Sequence, residues 1–188
     1  DERICRHLHI PLQSGSDAVL RRMNRRYSIS GFMEKISMIR DKLTSVGITT
    51  DIISAFPGES TGDHGRTLEI LKEFKPSRLH VFRYSDRVGT RAFDIRPKLD
   101  SETAKKRVRE LIDLGETLKR DFCSGFVGRA VEVLVEKKEN NAYFEGYTSE
   151  YVRSRSDTPS CRVGDIVDLV PEKVLDLDEP TLTCHILS

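Results

Sequence analysis

Between Thr49 and Glu59 the chain reads Thr-Thr-Asp-Ile-Ile-Ser-Ala-Phe-Pro-Gly-Glu, an apolar, β-branched run that stops in a break no regular element passes through. Pro57 fixes its own φ and lacks an N–H, and Gly58 tolerates positive φ, so the pair makes a tight turn. Ser60 or Thr61 then offers a hydroxyl to cap a new helix. The segment reads as the carboxyl end of a buried strand turning into a helix, the place where parallel α/β folds carry ligand-binding groups. Taken alone it is equally an ordinary strand–helix connection, so the neighbouring segments decide.

Upstream, Ile4–Leu12 is strand-like, with Ile4, Leu8 and Ile10 apolar. Gln13-Ser14-Gly15-Ser16-Asp17 follows, and Ser14 with Asp17 makes a variant capping box for a helix over 17–25. The amides of that helix start are candidate anion or hydroxyl ligands, against the plainer reading of capping alone. His7 and His9 share one strand face. They form a polar layer inside a barrel or are satisfied core groups, and the second is preferred because a metal needs more ligands. A helix from Ser28 or Ser30 to about Val46, buried through Phe32, Ile36, Ile39 and Leu43, ends with Gly47 as its C-cap. After the strand at 48–55, a helix over 61–74 buries Leu68, Leu71 and Phe74 and stops at Lys75-Pro76. Arg78–Tyr84 is a further strand, 85–100 a long polar loop, and 101–122 a long helix with Val108, Leu111, Ile112, Gly115 and Leu118 on its buried stripe.

Strand–helix alternation of this kind predicts a parallel sheet with right-handed crossovers. Three such strands are too few to close a barrel, so the piece is expected to belong to something larger, to begin downstream of missing strands, and to be marginal or self-associating alone. After Phe122 the pattern changes. Val131, Val133 and Val135 alternate with outward residues, 137–141 is a turn, and 142–148, 151–155, 165–170 and 181–187 are further short strands. That spacing predicts a small antiparallel barrel or sandwich. Tyr143, Tyr147, Tyr151, Arg153, Arg155 and Arg162 give it the aromatic and basic side chains that grip single-stranded nucleic acid, or simply a solvated strand face.

Charged residues at 32% and a formal net charge of +1 exclude a disordered or membrane-spanning chain without deciding for or against nucleic acid. No secretory signal is visible. The four cysteines, Cys5, Cys123, Cys161 and Cys184, are dispersed, so they form no Cys-rich metal motif and are expected to be reduced and mostly buried.

The ordered strings His7-Leu8-His9-Ile10-Pro11-Leu12-Gln13-Ser14-Gly15-Ser16-Asp17, Met23-Asn24-Arg25, Asp51-Ile52-Ile53 with Phe56-Pro57-Gly58-Glu59, and Tyr84-Ser85-Asp86-Arg87-Val88-Gly89-Thr90 resemble the radical S-adenosylmethionine methylthiotransferase family over nearly the whole chain. The resemblance implies an α/β fold: residues 1–122 as the carboxyl-terminal portion of a parallel (β/α) partial TIM-like barrel, and 123–188 as a small all-β, OB-like TRAM barrel that binds RNA. It implies S-adenosylmethionine and two 4Fe–4S clusters as cofactors, tRNA as partner, no membrane, and a cytoplasmic location; the oligomeric state stays open.

The family's cluster-binding CxxxCxxC motif is not in this chain, and one cluster needs thiolates converging from a compact motif, so the chain alone is expected to be inactive. Gln13, Ser14, Asp51, Ile53 and Phe56 are the implied cofactor-binding residues. Tyr84, Arg87, Tyr147, Tyr151 and Arg153 are the implied substrate-binding residues. No catalytic residue and no metal ligand is assigned. Ala55 departs from the family's usual glycine, and Asp86 and Val88 stand where proline is common. Leu79-His80-Val81-Phe82 and Gly146–Val152 look most like the branch acting on threonylcarbamoyladenosine beside the tRNA anticodon. The isopentenyladenosine branch, the ribosomal-protein aspartate branch and a non-catalytic RNA-binding protein are the alternatives, beside an unrelated barrel enzyme fused to an OB-like module.

Overall fold

The computed structural model describes residues 4–139, 142–157 and 161–186. The chain divides into two compact units, one of His9–Thr44 with Ile48–Leu118, the other of Lys119–Ser188 with Asp1–Leu8 and Ser45–Gly47. The α/β part contains β1 (His7–His9), α1 (Asp17–Arg22), α2 (Ile29–Lys42), β2 (Gly47–Ser54), α3 (Thr61–Phe74), β3 (Arg78–Arg83), α4 (Arg91–Asp94) and α5 (Ser101–Ser124). Its sheet has the order β1-β2-β3, with β2 parallel to β3 and Asp51 level with His80.

β1 is shorter than the apolar run suggests because Pro11 has no N–H to give the ladder. The Thr50 side chain repairs the gap. Its hydroxyl accepts from Leu12 N–H (2.9 Å) and donates to Ile10 C=O (2.8 Å), so the chain stays bonded to β2 past the proline. Helix starts follow the hydroxyl rule with one shift. Ser16, not Ser14, caps α1 by accepting from Val19 N–H, and Asp17 instead accepts from Ile29 N–H (2.8 Å) at the start of α2. Ser60 and Asp63 form a reciprocal capping box on α3, and Lys75 closes that helix in a left-handed conformation. α2 ends at Lys42, with extended Leu43 as its cap; Gly47 is already strand. On α5 the buried stripe runs through Ala104, Arg107, Leu111 and Leu118, while Ile112 faces solvent. Leu12, Leu20, Ile36, Ile52, Ile70 and Phe74 are the fully buried centre of this unit.

The second unit is a closed five-stranded barrel in the order β4-β5-β6-β8-β7, from β4 (Val131–Glu139), β5 (Tyr143–Thr148), β6 (Arg153–Ser156), β7 (Ile166–Asp176) and β8 (Pro180–Ile186). Its core holds Val131, Val133, Val135, Phe144, Leu169 and Leu182. The expectation of an antiparallel barrel needs one correction: β6 and β8 run parallel. A closed ring with an odd number of strands cannot alternate direction throughout, so at least one neighbouring pair must be parallel. β4 also continues past Val135 through a bulge to Glu139, where a turn is expected. Asn140 and Asn141 of that turn, and Leu187 of the last expected strand, lie outside the described residues. Among the described residues no helix is long and apolar enough to cross a membrane.

Gly146 lets β4 and β5 approach at that bulge. A Cβ built there falls 1.9 Å from the Leu134 carbonyl oxygen, a clash with backbone that no rotamer relieves. Gly146→Ala is therefore expected to lower unfolding free energy by more than about 2 kcal/mol in urea titration. An unchanged midpoint would refute this packing.

Candidate functional site at the strand tips

β1, β2 and β3 bring their carboxyl ends to one edge of the α/β unit. Beyond β1, Gln13 has a left-handed backbone (φ 68°). Its N–H donates to Asp51 C=O (2.8 Å) and its C=O accepts from Ile53 N–H (2.9 Å), so the chain turns away while keeping two hydrogen bonds to β2. Beyond β2, Ala55 is also left-handed (φ 61°). That conformation favours glycine, which is the physical reason a glycine suits the position and alanine holds it at a cost. Beyond β3, Tyr84 N–H donates to Ser54 C=O (2.9 Å). The Tyr84 ring meets Phe56 edge-on, with centroids 5.2 Å apart. The Tyr84 hydroxyl is buried and makes no hydrogen bond of good geometry, with Asp86 and Thr90 the polar groups beside it. Burial, and then the Asp86 carboxylate, push the phenol above its ordinary pKa. Buried hydroxyls without a partner are rare and cost about 1–3 kcal/mol each, so this one suits an incoming polar group.

The turn after β2 is anchored by buried charge. Arg107 donates to Glu59 Oε1 (2.6 Å) and to the Glu59 carbonyl (3.2 Å), and both side chains are buried. His64 adds a bond to Glu110 (2.7 Å). Gly58 N–H donates to Pro97 C=O (2.8 Å), tying the turn to the loop after β3. These partners were missed in the sequence, although a charged residue on the apolar stripe of α5 was the available signal.

Deeper along the strands lies a polar layer. His9 Nδ1 pairs with Thr49 Oγ1 (2.9 Å), His9 Nε2 with Asp51 Oδ2 (3.3 Å), and His80 Nδ1 with Asp51 Oδ1 (3.1 Å). The His9 and His80 side chains are each 42% exposed and that of Asp51 22%, so His9 is not the satisfied core group expected of it.

The tips thus bring together Gln13, Asp51, Ile53, Phe56 and Tyr84 from the expected set. Ser14 turns aside, its hydroxyl accepting from Ser16 N–H (3.2 Å). Arg87 is exposed in the following loop, where its carbonyl accepts from the Thr90 hydroxyl (2.8 Å).

The barrel unit carries a separate aromatic surface. Tyr151 has a left-handed backbone (φ 67°) and is 55% exposed. Its ring stacks between Tyr147 (4.9 Å, 25°) and His7 (4.9 Å, 27°). The Arg155 guanidinium lies 3.4 Å over the Tyr143 ring. Arg153 is committed elsewhere, bonded to Glu145 (2.8 Å) and Asp178 (3.1 Å). Those carboxylates, Glu145 first, hold it above its ordinary pKa. The place of His7 in the stack was not legible in the sequence, because it depends on contacts between distant segments.

No family model matches the chain. It is 36% identical over 156 residues to the threonylcarbamoyladenosine tRNA methylthiotransferase of Bacillus subtilis, an alignment covering 81% of this chain and 35% of that one. It is 42% identical over 167 residues to the tRNA-2-methylthio-N(6)-dimethylallyladenosine synthase of Chlorobium luteolum, covering 87% and 37% respectively. A threonylcarbamoyladenosine tRNA methylthiotransferase of Thermotoga maritima is 38% identical over 80% of this chain and 35% of its own length.

Over 80% to 87% of its length the chain is thus similar to curated tRNA methylthiotransferases.

It spans 35% and 37% of the first two curated relatives it matches. A solved structure described as coproporphyrinogen III oxidase from Escherichia coli, a radical SAM enzyme, aligns at TM-score 0.49 and 23% identity over 61% of this chain and 27% of that one, a likeness too low to carry weight.

The resemblance to that family implies iron–sulfur clusters, and the cysteines here do not fit one. All four are outside disulfides; Cys5 is exposed, and Cys123, Cys161 and Cys184 are buried in the barrel unit. Burial pushes the Cys123 thiol up to about 11 and that of Cys184 up to about 12, which disfavours the thiolate a cluster requires. In the folded chain, alkylation at pH 8 is expected to modify Cys5 rapidly and to reach the three buried thiols only after denaturation. Peptide mass spectrometry reads the sites, and rapid labelling of Cys123 or Cys184 would contradict the barrel packing.

Proposed function

We propose that the chain is part of a tRNA methylthiotransferase that adds a methylthio group to C2 of threonylcarbamoyladenosine beside the anticodon. Residues 1–122 serve as the portion of a TIM-like radical barrel and 123–188 as a TRAM-like module that holds tRNA. The observation that supports this reading is the convergence of Gln13, Asp51, Ile53, Phe56 and Tyr84 at parallel strand tips, in a chain 36% to 42% identical to tRNA-modifying relatives.

Gln13, Asp51, Ile53 and Phe56 would hold S-adenosylmethionine, which would supply an adenosyl radical on one-electron reduction by a cluster held outside this chain, a second molecule supplying the methyl group. Gln13 presents an amide side chain to its methionyl or ribose part, and Ser14, whose hydroxyl accepts from Ser16 N–H, contributes by ordering the turn that holds Gln13. Asp51, Ile53 and Phe56 shape the adenosine side. Phe56, packed on Tyr84, excludes water from the reacting centre, where the protein's role is binding and orientation. Tyr84 offers its unpartnered hydroxyl to substrate, and Arg87, exposed in the next loop, offers charge to its phosphate or carboxylate. On the barrel unit, a nucleobase that takes the place of His7 on the exposed Tyr151 ring would continue the Tyr147–Tyr151 stack, and base–aromatic stacking contributes about 1–3 kcal/mol per base. Arg153 contributes by ordering that surface through Glu145 and Asp178. The cluster ligands are assigned to no residue here.

A second reading, methylthiolation of dimethylallyladenosine, is favoured by the 42% identity to a synthase named for that nucleoside. Nucleoside mass spectrometry of tRNA modified by the full-length enzyme separates the two: the methylthio product appears on threonylcarbamoyladenosine under the first reading and on dimethylallyladenosine under the second. In the same enzyme, Gln13→Ala and Arg87→Ala are expected to lower turnover more than tenfold with a melting temperature within a few degrees of the parent. Tyr151→Ala is expected to weaken tRNA binding severalfold, and the parent's affinity to fall steeply with salt. Unchanged turnover in both tip variants would reject the site assignment.

A further inference from the structure

The layer beneath the strand tips is built like a metal site. His9, Asp51 and His80 come from three neighbouring strands: Asp51 is level with His80, and His9 reaches the Asp51 carboxylate from beside Thr49 on the adjoining strand. Among the described residues they are a group whose ligand atoms all lie within 4.8 Å of one another. The geometry points to a mononuclear zinc-type divalent cation site with His9 Nε2, His80 Nδ1 and the Asp51 carboxylate as ligands. The inference shares Asp51 with the proposed cofactor pocket but needs neither S-adenosylmethionine nor a cluster.

Distances support it first. A tetrahedral Zn²⁺ with bonds of about 2.0–2.1 Å holds adjacent donor atoms about 3.3 Å apart. The two imidazole–carboxylate separations are similar, 3.3 Å from His9 Nε2 to Asp51 Oδ2 and 3.1 Å from His80 Nδ1 to Asp51 Oδ1, so the carboxylate faces the site with both oxygens. The remaining edge, between the imidazoles, is within 4.8 Å. Orientation supports it second. The Thr49 hydroxyl holds His9 Nδ1 at 2.9 Å, which turns Nε2 toward the carboxylate, the arrangement by which an outer partner fixes a ligating histidine. Chemistry and access support it third. Two imidazoles and one carboxylate are the donor set of open zinc and related divalent sites, in which a water or ligand takes the remaining position. The half-exposed side chains leave that position free to solvent in this chain.

The test uses the 188-residue chain after treatment with a chelator, titrated with Zn²⁺ by calorimetry and with Co²⁺ by visible absorption. One equivalent of metal is expected, with the intense visible bands of low-coordinate Co²⁺. His9→Gln and His80→Gln are each expected to weaken binding by more than about 100-fold, and Thr49→Val by about 10- to 100-fold, the effect of losing an outer partner. Cys5→Ser is expected to bind as the parent does, and circular dichroism checks that each variant folds. Failure of the folded parent to take up either metal saturably overturns the inference. So does one-equivalent binding that survives in a folded variant carrying both histidine substitutions, because the metal then sits elsewhere.

Discussion

The end of β1 stays on the sheet because Thr50 and Gln13 supply the hydrogen bonds that Pro11 removes. The Thr50 hydroxyl bridges Leu12 N–H and Ile10 C=O, and left-handed Gln13 then takes up the ladder again at Asp51 and Ile53. Without that splice the chain would leave β2 at the proline, and the Gln13 side chain would have no fixed relation to the β2 turn. What is assigned to the tips depends on it: the start of α1 at Ser16 and the pairing of Gln13 with Ile52 on β2.

Buried charge holds the other half of the site. Glu59 and Arg107 are both out of water, and such a pair stabilises little relative to apolar packing but is costly to break, by about 3–5 kcal/mol when one partner is removed. Its value here is positional. Arg107 bonds both the carboxylate and the carbonyl of Glu59, so the turn after β2 has one orientation relative to α5. The left-handed Ala55, two residues before Pro57, is held in place by the same anchoring.

Much of the fold was legible because its signals are local. Alternation of β-branched runs with helical periodicity gave the parallel strands, and the boundaries of α3 came from Ser60 and the Lys75-Pro76 stop. The Val131, Val133, Val135 alternation marked the barrel. What was not legible depends on tertiary partners. Ser16 displaced Ser14 as the cap because Asp17 found Ile29 N–H instead. Ile112 lost its place on the buried stripe to Arg107 because Glu59 was waiting for a cation. His9 was read as a core group because its partners, Asp51 and His80, lie 42 and 71 residues further along the chain. The parallel β6–β8 pair follows from ring parity, which no single strand reveals. For the candidate site, the positions were readable from the strand–turn pattern, whereas the commitment of Arg153 to two carboxylates and the stacking of His7 on Tyr151 were not.

The central claim is that three separate strand ends form one ligand-binding surface. Hydrogen–deuterium exchange of the full-length enzyme, with and without S-adenosylmethionine, tests it most directly. The account predicts that peptides covering residues 10–16, 52–59 and 82–88 gain protection together on binding. Ligand binding that protects other segments while all three of these exchange as before would contradict it.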